Sequence, residues 1–363
     1  MEYKNELFEK IFILKNLLDK LNKEGILKDN IQFPSICVLG GINSGKSSVL
    51  ESILNLNILP IGRYEKVTRC PIEINLHHIN SEETYAIFKN TKYNNFSELK
   101  EELYKHFSNI AKIIKIDKTP VIINIYSKNY PDLKLIDLPG FKRKIIPDDI
   151  PKNTEEYPIQ IAKNYIKNPL NILLCVIPAT LMNCSFYDEF AIFGLKLASE
   201  MSSLSEYHNN LRTLGVVTKI DIMDLNTDVR DLLLNKQIPI ELGYIGVINR
   251  SRRDLAENIL SKEYIIKKER EFFNTTKEYK DLPKNILGNE ALIKKISKIY
   301  FKLIKDNLLK NINNEKNIKE LLDFLEQNSL KDDEIYDINK KNEDNEEKGT
   351  SSKKINKYGN LYG

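Results

Sequence analysis

Apolar positions recur at two different spacings along this chain, and the change of spacing divides it. Within residues 4–24, Leu7, Ile11, Leu14, Leu18 and Leu21 return every three or four positions, which predicts one apolar face on a helix. Gly25 is the expected stop. From about residue 34 to 250 the pattern becomes short continuous apolar runs, at 36–39, 72–76, 121–126, 133–136, 172–177, 214–218 and 244–248. Polar or helical stretches such as 97–114 and 187–200 separate them. Apolar strands alternating with helices predict an α/β fold, a mostly parallel sheet with helices on both faces. Past Leu255 the helical period returns at 262–273, 290–312 and 318–325, with Leu292, Ile296, Ile299, Leu303 and Leu308 lining one stripe. Residues from 331 onward are mostly Lys, Asp, Glu and Asn and predict a disordered tail, because they have too little apolar surface to offset ordering. The expected division is 1–30, an N-terminal helix; 31–288, the α/β domain; 289–328, C-terminal helices; and 329–363, the tail.

Charge and composition narrow this only slightly. The 363 residues carry 55 Lys and Arg against 51 Asp and Glu, a net charge of +4, which argues against a protein that coats nucleic acid. No apolar run approaches the roughly 18–20 residues of a membrane span. The run Ile11-Phe12-Ile13-Leu14 is short and lacks the flanks of a signal peptide. Cys37, Cys70, Cys175 and Cys184 are scattered without metal-like spacing, so reduced thiols and a cytoplasmic location are expected.

The chemistry concentrates in three motifs. Gly40-Gly41-Ile42-Asn43-Ser44-Gly45-Lys46-Ser47 fits G-x-x-x-x-G-K-[ST], follows a predicted strand and opens a predicted helix that begins at Ser48. Glycines let backbone N–H groups turn around a β-phosphate, and the helix dipole adds positive potential. Lys46 would bridge β- and γ-phosphates and Ser47 would ligate Mg²⁺. Asp137-Leu138-Pro139-Gly140 ends a strand, where Asp137 would serve the metal and the Gly140 N–H the γ-phosphate. Thr218-Lys219-Ile220-Asp221 follows another strand. A carboxylate at Asp221 accepts from N1–H and the 2-amino group of guanine, donors that adenine lacks, and the Lys219 stem would lie along the purine. Thr68, between the P-loop helix and the next strand, stands where a switch threonine would meet Mg²⁺ and the attacking water.

Together with Leu59-Pro60, Val67-Thr68-Arg69-Cys70-Pro71, residues 218–224 and Gly243-Tyr244-Ile245-Gly246-Val247-Ile248-Asn249-Arg250-Ser251, these motifs resemble the GTPase domain of the dynamin superfamily over about residues 5–312. The resemblance implies a P-loop GTPase fold plus a helical bundle from the N- and C-terminal segments. It implies a nucleotide contact set of Gly41, Ile42, Asn43, Ser44, Gly45, Lys46, Ser47, Ser48, Asp137, Gly140, Thr218, Lys219, Asp221, Asp224, Asn249, Arg250 and Ser251. In it, Asn249, Arg250 and Ser251 close over base and ribose, and Asp224 reaches toward a partner's nucleotide across a GTPase-domain dimer. Metal ligation would fall to Ser47, Thr68 and Asp137, and catalysis to Asn43, Lys46, Thr68 and Gly140. GTP and Mg²⁺ are the expected substrate and cofactor, with a monovalent cation as a further candidate. Self-association, indirect action on membranes during fission, fusion or vesicle formation, and a bundle helix from another segment or chain are the implied partners; nucleic acid is not among them.

Two departures from the family pattern matter. Ile42-Asn43 stands where the family usually carries Gln-Ser, which position the water and hold the cation. Losing one preorganised element of this kind costs on the order of 10²–10³ in rate. A GTP-dependent binding module with weak hydrolysis is therefore the alternative expectation. Stalk-type helices and a lipid-binding domain are not evident, which leads to the expectation of a GTPase-domain fragment or a reduced family member.

Overall fold

The computed structural model describes residues 5–24, 31–59, 70–113, 119–141, 156–182, 189–203, 211–224, 227–251, 254, 261–311, 318–331 and 334. The expected stop at Gly25, the switch threonine Thr68 and nearly all of the tail lie outside the described residues.

Among the described residues, nine strands form one sheet. They are β1 (Ser35–Gly40), β2 (Ile72–His78), β3 (Tyr85–Phe88), β4 (Thr91–Tyr93), β5 (Val121–Ser127), β6 (Leu133–Asp137), β7 (Asn171–Pro178), β8 (Thr213–Thr218) and β9 (Tyr244–Gly246). The spatial order is β4-β3-β5-β2-β6-β1-β7-β8-β9. From β6 through β1, β7 and β8 to β9 every pairing is parallel. β2 runs antiparallel to β6, β5 parallel to β2, and β3 and β4 add antiparallel strands at the edge.

Burial along the strands follows this division. β7 is buried at all eight positions and β1 at five of six, as befits strands with helices on both faces. β2 and β5 alternate, with Ile72, Ile74 and Leu76 buried and Glu73, Asn75 and His77 half-buried. The sheet is thus sandwiched only through its parallel half; the outer half is buried on one face. The β3–β4 hairpin lacks a usual sequence signal, because its turn residues Lys89 and Asn90 both adopt positive φ, 47° and 63°, without a glycine.

Helices α1 (Glu6–Lys23), α2 (Lys46–Leu54), α3 (Phe96–Ile113), α8 (Asn289–Asn311) and α9 (Lys319–Asn328) belong to one face of the sheet, and α4 (Glu156–Ile166), α5 (Phe193–Ser203), α6 (Arg230–Leu233) and α7 (Lys262–Thr275) to the other. Helix α4 carries Pro158 in its first turn, where the missing N–H is not needed. The buried Arg212 donates to the carbonyls of Ile166, Asn168 and Asn171, satisfying the end of that helix and the turn after it.

The apolar stripe of α1 finds its partners at the other end of the chain. Leu7, Ile11, Leu14, Leu18 and Leu21 are all buried, and α1 packs against both α8 and α9. Leu321 and Leu325 of α9 are buried in the same cluster, and Leu330 N–H donates to Lys298 O. Helix α9 thus packs with α1 and α8 in one buried cluster, and it contains most of the 318–325 segment singled out in the sequence.

The base of α8 is tied to the sheet by one buried carboxylate. Glu269 of α7 accepts from Ile248 N–H at 2.8 Å and from the backbone and side-chain N–H groups of Asn289, each at 2.9 Å. Asn289 in turn accepts from Ser52 of α2 at 2.7 Å and donates to Ile248 O at 3.2 Å. Burial pushes the Glu269 carboxyl up to about 7. The end of β9, the P-loop helix, α7 and the start of α8 thus meet at Asn289.

Leu14 is fully buried while its neighbour Ile13 is 48% exposed. Leu14→Ala should lower the unfolding free energy by about 2–5 kcal/mol, whereas Ile13→Ala should change it by less than about 0.5 kcal/mol. Denaturant unfolding of both variants measures the difference.

Candidate functional site

The C-terminal ends of β1, β6, β8 and β9 lie along one edge of the sheet, and the loops that leave them carry the sequence motifs. The loop after β1 turns through Asn43 at φ 60° and Gly45 at φ 101° before α2 begins at Lys46. The left-handed conformation at Gly45 is one that L side chains rarely adopt. A Cβ at Gly41 would come within 2.9 Å of the Phe190 ring.

This loop is closed onto the segment after β6. Ile42 N–H donates to Phe141 O at 2.9 Å, and Phe141 N–H donates to Gly40 O at 3.2 Å. Gly140 packs so closely on Ile42 that a Cβ would meet its backbone at 2.9 Å. Ile42 is half-buried in this contact, and Asn43 is exposed. From the other side, Thr218 Oγ1 donates to Ser44 O at 2.5 Å and Lys219 Nζ donates to Asn43 O. The first motif is therefore braced by residues of the other two.

The electrostatics suit a bound anion. Lys46 is buried, and its Nζ donates to Gly41 O at 2.8 Å and Gly40 O at 3.2 Å. Burial lowers its ammonium to about 8, with Asp137 opposing and Lys219 reinforcing the shift. A phosphate beside this group would reverse that shift. Ser44 Oγ in this loop and Asn249 Nδ2 after β9 are buried without a hydrogen-bond partner, so each has hydrogen-bonding capacity to offer a ligand. Ser47 Oγ donates to Asp137 Oδ2 at 2.6 Å, a juxtaposed hydroxyl and carboxylate of the type that hard divalent cations use. The residues present fit a nucleotide with a magnesium ion. Ser48 follows in the first turn of α2, half-buried.

On the base side, Lys219 adopts φ 61° and leads into a short 3₁₀ turn, 220–222, that carries Asp221. Burial raises the Asp221 carboxyl, with Lys268 opposing the shift and Asp254 adding to it. Asp224 is exposed, and its backbone carbonyl anchors Thr227. Asn249, Arg250 and Ser251 follow β9. Ser251 N–H donates to Asp254 Oδ2 at 2.7 Å, and Asp254 N–H donates back to Ser251 Oγ at 3.1 Å, which fixes the loop's far end. Arg250 is engaged elsewhere: its Nη2 lies 2.9 Å from Glu51 Oε2.

The contacts join the P-loop to Asp137, Gly140, Thr218 and Lys219, whereas Arg250 turns to Glu51 and Thr68 lies outside the described residues. The structure also adds Glu51, Glu269 and Asn289, to which sequence reasoning gave no role. The available signal for Glu51 was an acidic residue on the buried face of an otherwise apolar helix, Val49-Leu50-Glu51-Ser52-Ile53. None of the described helices is long and apolar enough to cross a membrane.

Comparisons with known proteins agree with this geometry. The Dynamin family model matches residues 36–220, and the Dynamin central region model matches 228–362. The second match begins inside the segment expected to be α/β domain and runs through the bundle helices. Dynamin-B of Dictyostelium discoideum is 34% identical over 270 residues, 66% of this chain and 28% of that protein. Dynamin-1-like protein drp-1 of Caenorhabditis elegans is 34% identical over 267 residues, 68% of this chain and 36% of that protein. Dynamin-2 of Bos taurus is 36% identical over 255 residues, 69% and 28% respectively. The chain thus matches between about a quarter and two fifths of the length of such relatives. A P-loop braced by Phe141, Thr218 and Lys219 and the family match over 36–220 place this chain in the dynamin family.

Proposed function

We propose that this chain binds Mg·GTP and hydrolyses it to GDP and phosphate. The observation that carries the reading is the buried Lys46 ammonium inside a loop held by residues of all three motifs. Lys46 would hold the β- and γ-phosphate oxygens, and Gly140 with the P-loop backbone would donate to the γ-phosphate. Ser47, Asp137 and Thr68 would hold Mg²⁺, which when bound neutralises charge on the β- and γ-phosphates. Thr68 and Gly140 would position the water. Its oxygen forms the new bond to γ-phosphorus as the bond to the β-phosphate oxygen breaks. That oxygen keeps the electron pair, and the water proton ends on phosphate. Asp221 would select guanine, with Lys219 along the base, Thr218 bracing the loop, and Asn249 and Ser251 closing the base pocket.

Self-association across the nucleotide face, with Asp224 reaching a partner's nucleotide, supplies the stimulation that Ile42 cannot. A monovalent cation near Asn43 belongs to the same reading. Relatives named as dynamins and dynamin-1-like proteins support action in membrane remodelling, fission included, by a cytoplasmic protein recruited to an organelle or vesicle surface. A second reading is a GTP-dependent binding module with little hydrolysis. Its support is the apolar Ile42 side chain packed against Gly140, at the position where the family's water-orienting amide belongs.

Asp221→Asn should weaken GTP binding by about 10–100-fold and narrow the preference over ATP, because a charged acceptor of two hydrogen bonds gives way to an amide with one neutral acceptor oxygen. Competition between GTP and ATP measures this, and unchanged GTP affinity would remove the base assignment. Turnover per molecule should rise with protein concentration. Tight GTP binding with no hydrolysis at any concentration would instead establish the binding module.

A further inference from the structure

Glu51 is a carboxylate where none is expected. It stands in the second turn of α2, one turn after Ser47, and is 2% exposed. A bare carboxylate there would cost several kcal/mol. Three elements converge to offset that cost. Leu59 N–H donates to Oε1 at 2.9 Å, and the Ile58 N–H donates to the same carboxylate. Arg250 Nη2 donates to Oε2 at 2.9 Å. Lys100 of α3 supplies a second nearby cation, and its Nζ donates to Asn57 Oδ1.

These partners come from two sides of the site. Arg250 belongs to the loop expected to close over the base. That loop has little freedom to move without carrying Arg250 along, since Ile248 is held by Glu269 and Ser251 by Asp254. Ile58 and Leu59 are the root of the segment that leads to Thr68. Glu51 faces both with one rigid, planar group, and buried pairs of this kind lose strongly when one partner leaves the other uncompensated.

We propose that Glu51 is a positioning residue that couples the base-closing loop to residues 57–59, so that filling the base pocket steadies their existing seat on its carboxylate. The proposal rests on the GTP reading above. It makes guanine binding and the assembly of the γ-phosphate side parts of one equilibrium, with Arg250 acting through Glu51. Coupling of this kind requires that each site bias the same two-state element, here the seating of Ile58 and Leu59 on the carboxylate.

Hydrogen exchange of the full chain with GDP tests it, because GDP has no γ-phosphate and cannot order the segment through one. In the unmodified chain, saturating GDP should slow exchange of the Ile58 and Leu59 amides by about tenfold or more, alongside protection of the P-loop amides at 44–47. In Glu51→Gln at saturating GDP, P-loop protection should remain and the increment at 58–59 should vanish. Glu51→Asp, which keeps the charge but shortens its reach to Leu59 and Arg250, should lose the same increment, and it decides alone if Glu51→Gln does not fold. An unchanged increment in these variants would overturn the proposal while leaving GTP binding intact. No GDP-induced protection of the P-loop in the unmodified chain would overturn the GTP reading and the coupling with it.

Discussion

A lysine ammonium buried at the start of a helix is costly unless an anion meets it, and the site is organised around that cost. Lys46 Nζ donates to the carbonyls of its own loop, at Gly40 and Gly41, and burial disfavours its charged form. Asp137 sits close enough to favour the charge, yet its carboxylate already accepts from Ser47. The loop is held from outside as well. Thr218 and Lys219 hold it from β8, and the Phe141 backbone holds it from the end of β6. The parallel order β6-β1-β7-β8-β9 is what delivers those groups to one edge.

The bundle and the site share their foundations. Helix α8 starts at Asn289, whose side chain joins Ser52 of the P-loop helix to Ile248 at the end of β9, with Glu269 closing the cluster. Two buried carboxylates, Glu51 and Glu269, thus flank the loop 248–250, one reaching toward Leu59 and the other toward α8. Buried groups of this kind specify geometry more than they add stability. Here they fix how the base loop sits relative to both its neighbours.

What was legible in the sequence is what is contiguous in it. The P-loop, Asp137–Gly140 and Thr218–Asp221 each carry their chemistry within a few residues, and the α1 stripe announced a helix in need of partners. The β3–β4 hairpin was not legible, because Lys89 and Asn90 make a positive-φ turn without the usual glycine. The outer half of the sheet is not sandwiched, since its strands alternate and its antiparallel β2–β6 pairing breaks the parallel run. The Glu51–Arg250 pair spans 199 residues and Ser52–Asn289 spans 237. Such contacts depend on the fold having already been formed, and no local pattern encodes them.

The claim on which the rest depends is that Lys46 is a partly neutralised cation awaiting phosphate. Calorimetry of GDP binding at pH 8, repeated in buffers of different ionisation enthalpy, measures the protons taken up directly. Burial lowers the Lys46 ammonium and phosphate would raise it again, so binding at pH 8 should take up protons. Lys46→Met should abolish that uptake. Binding with no proton uptake at pH 8, or with proton release, would contradict it.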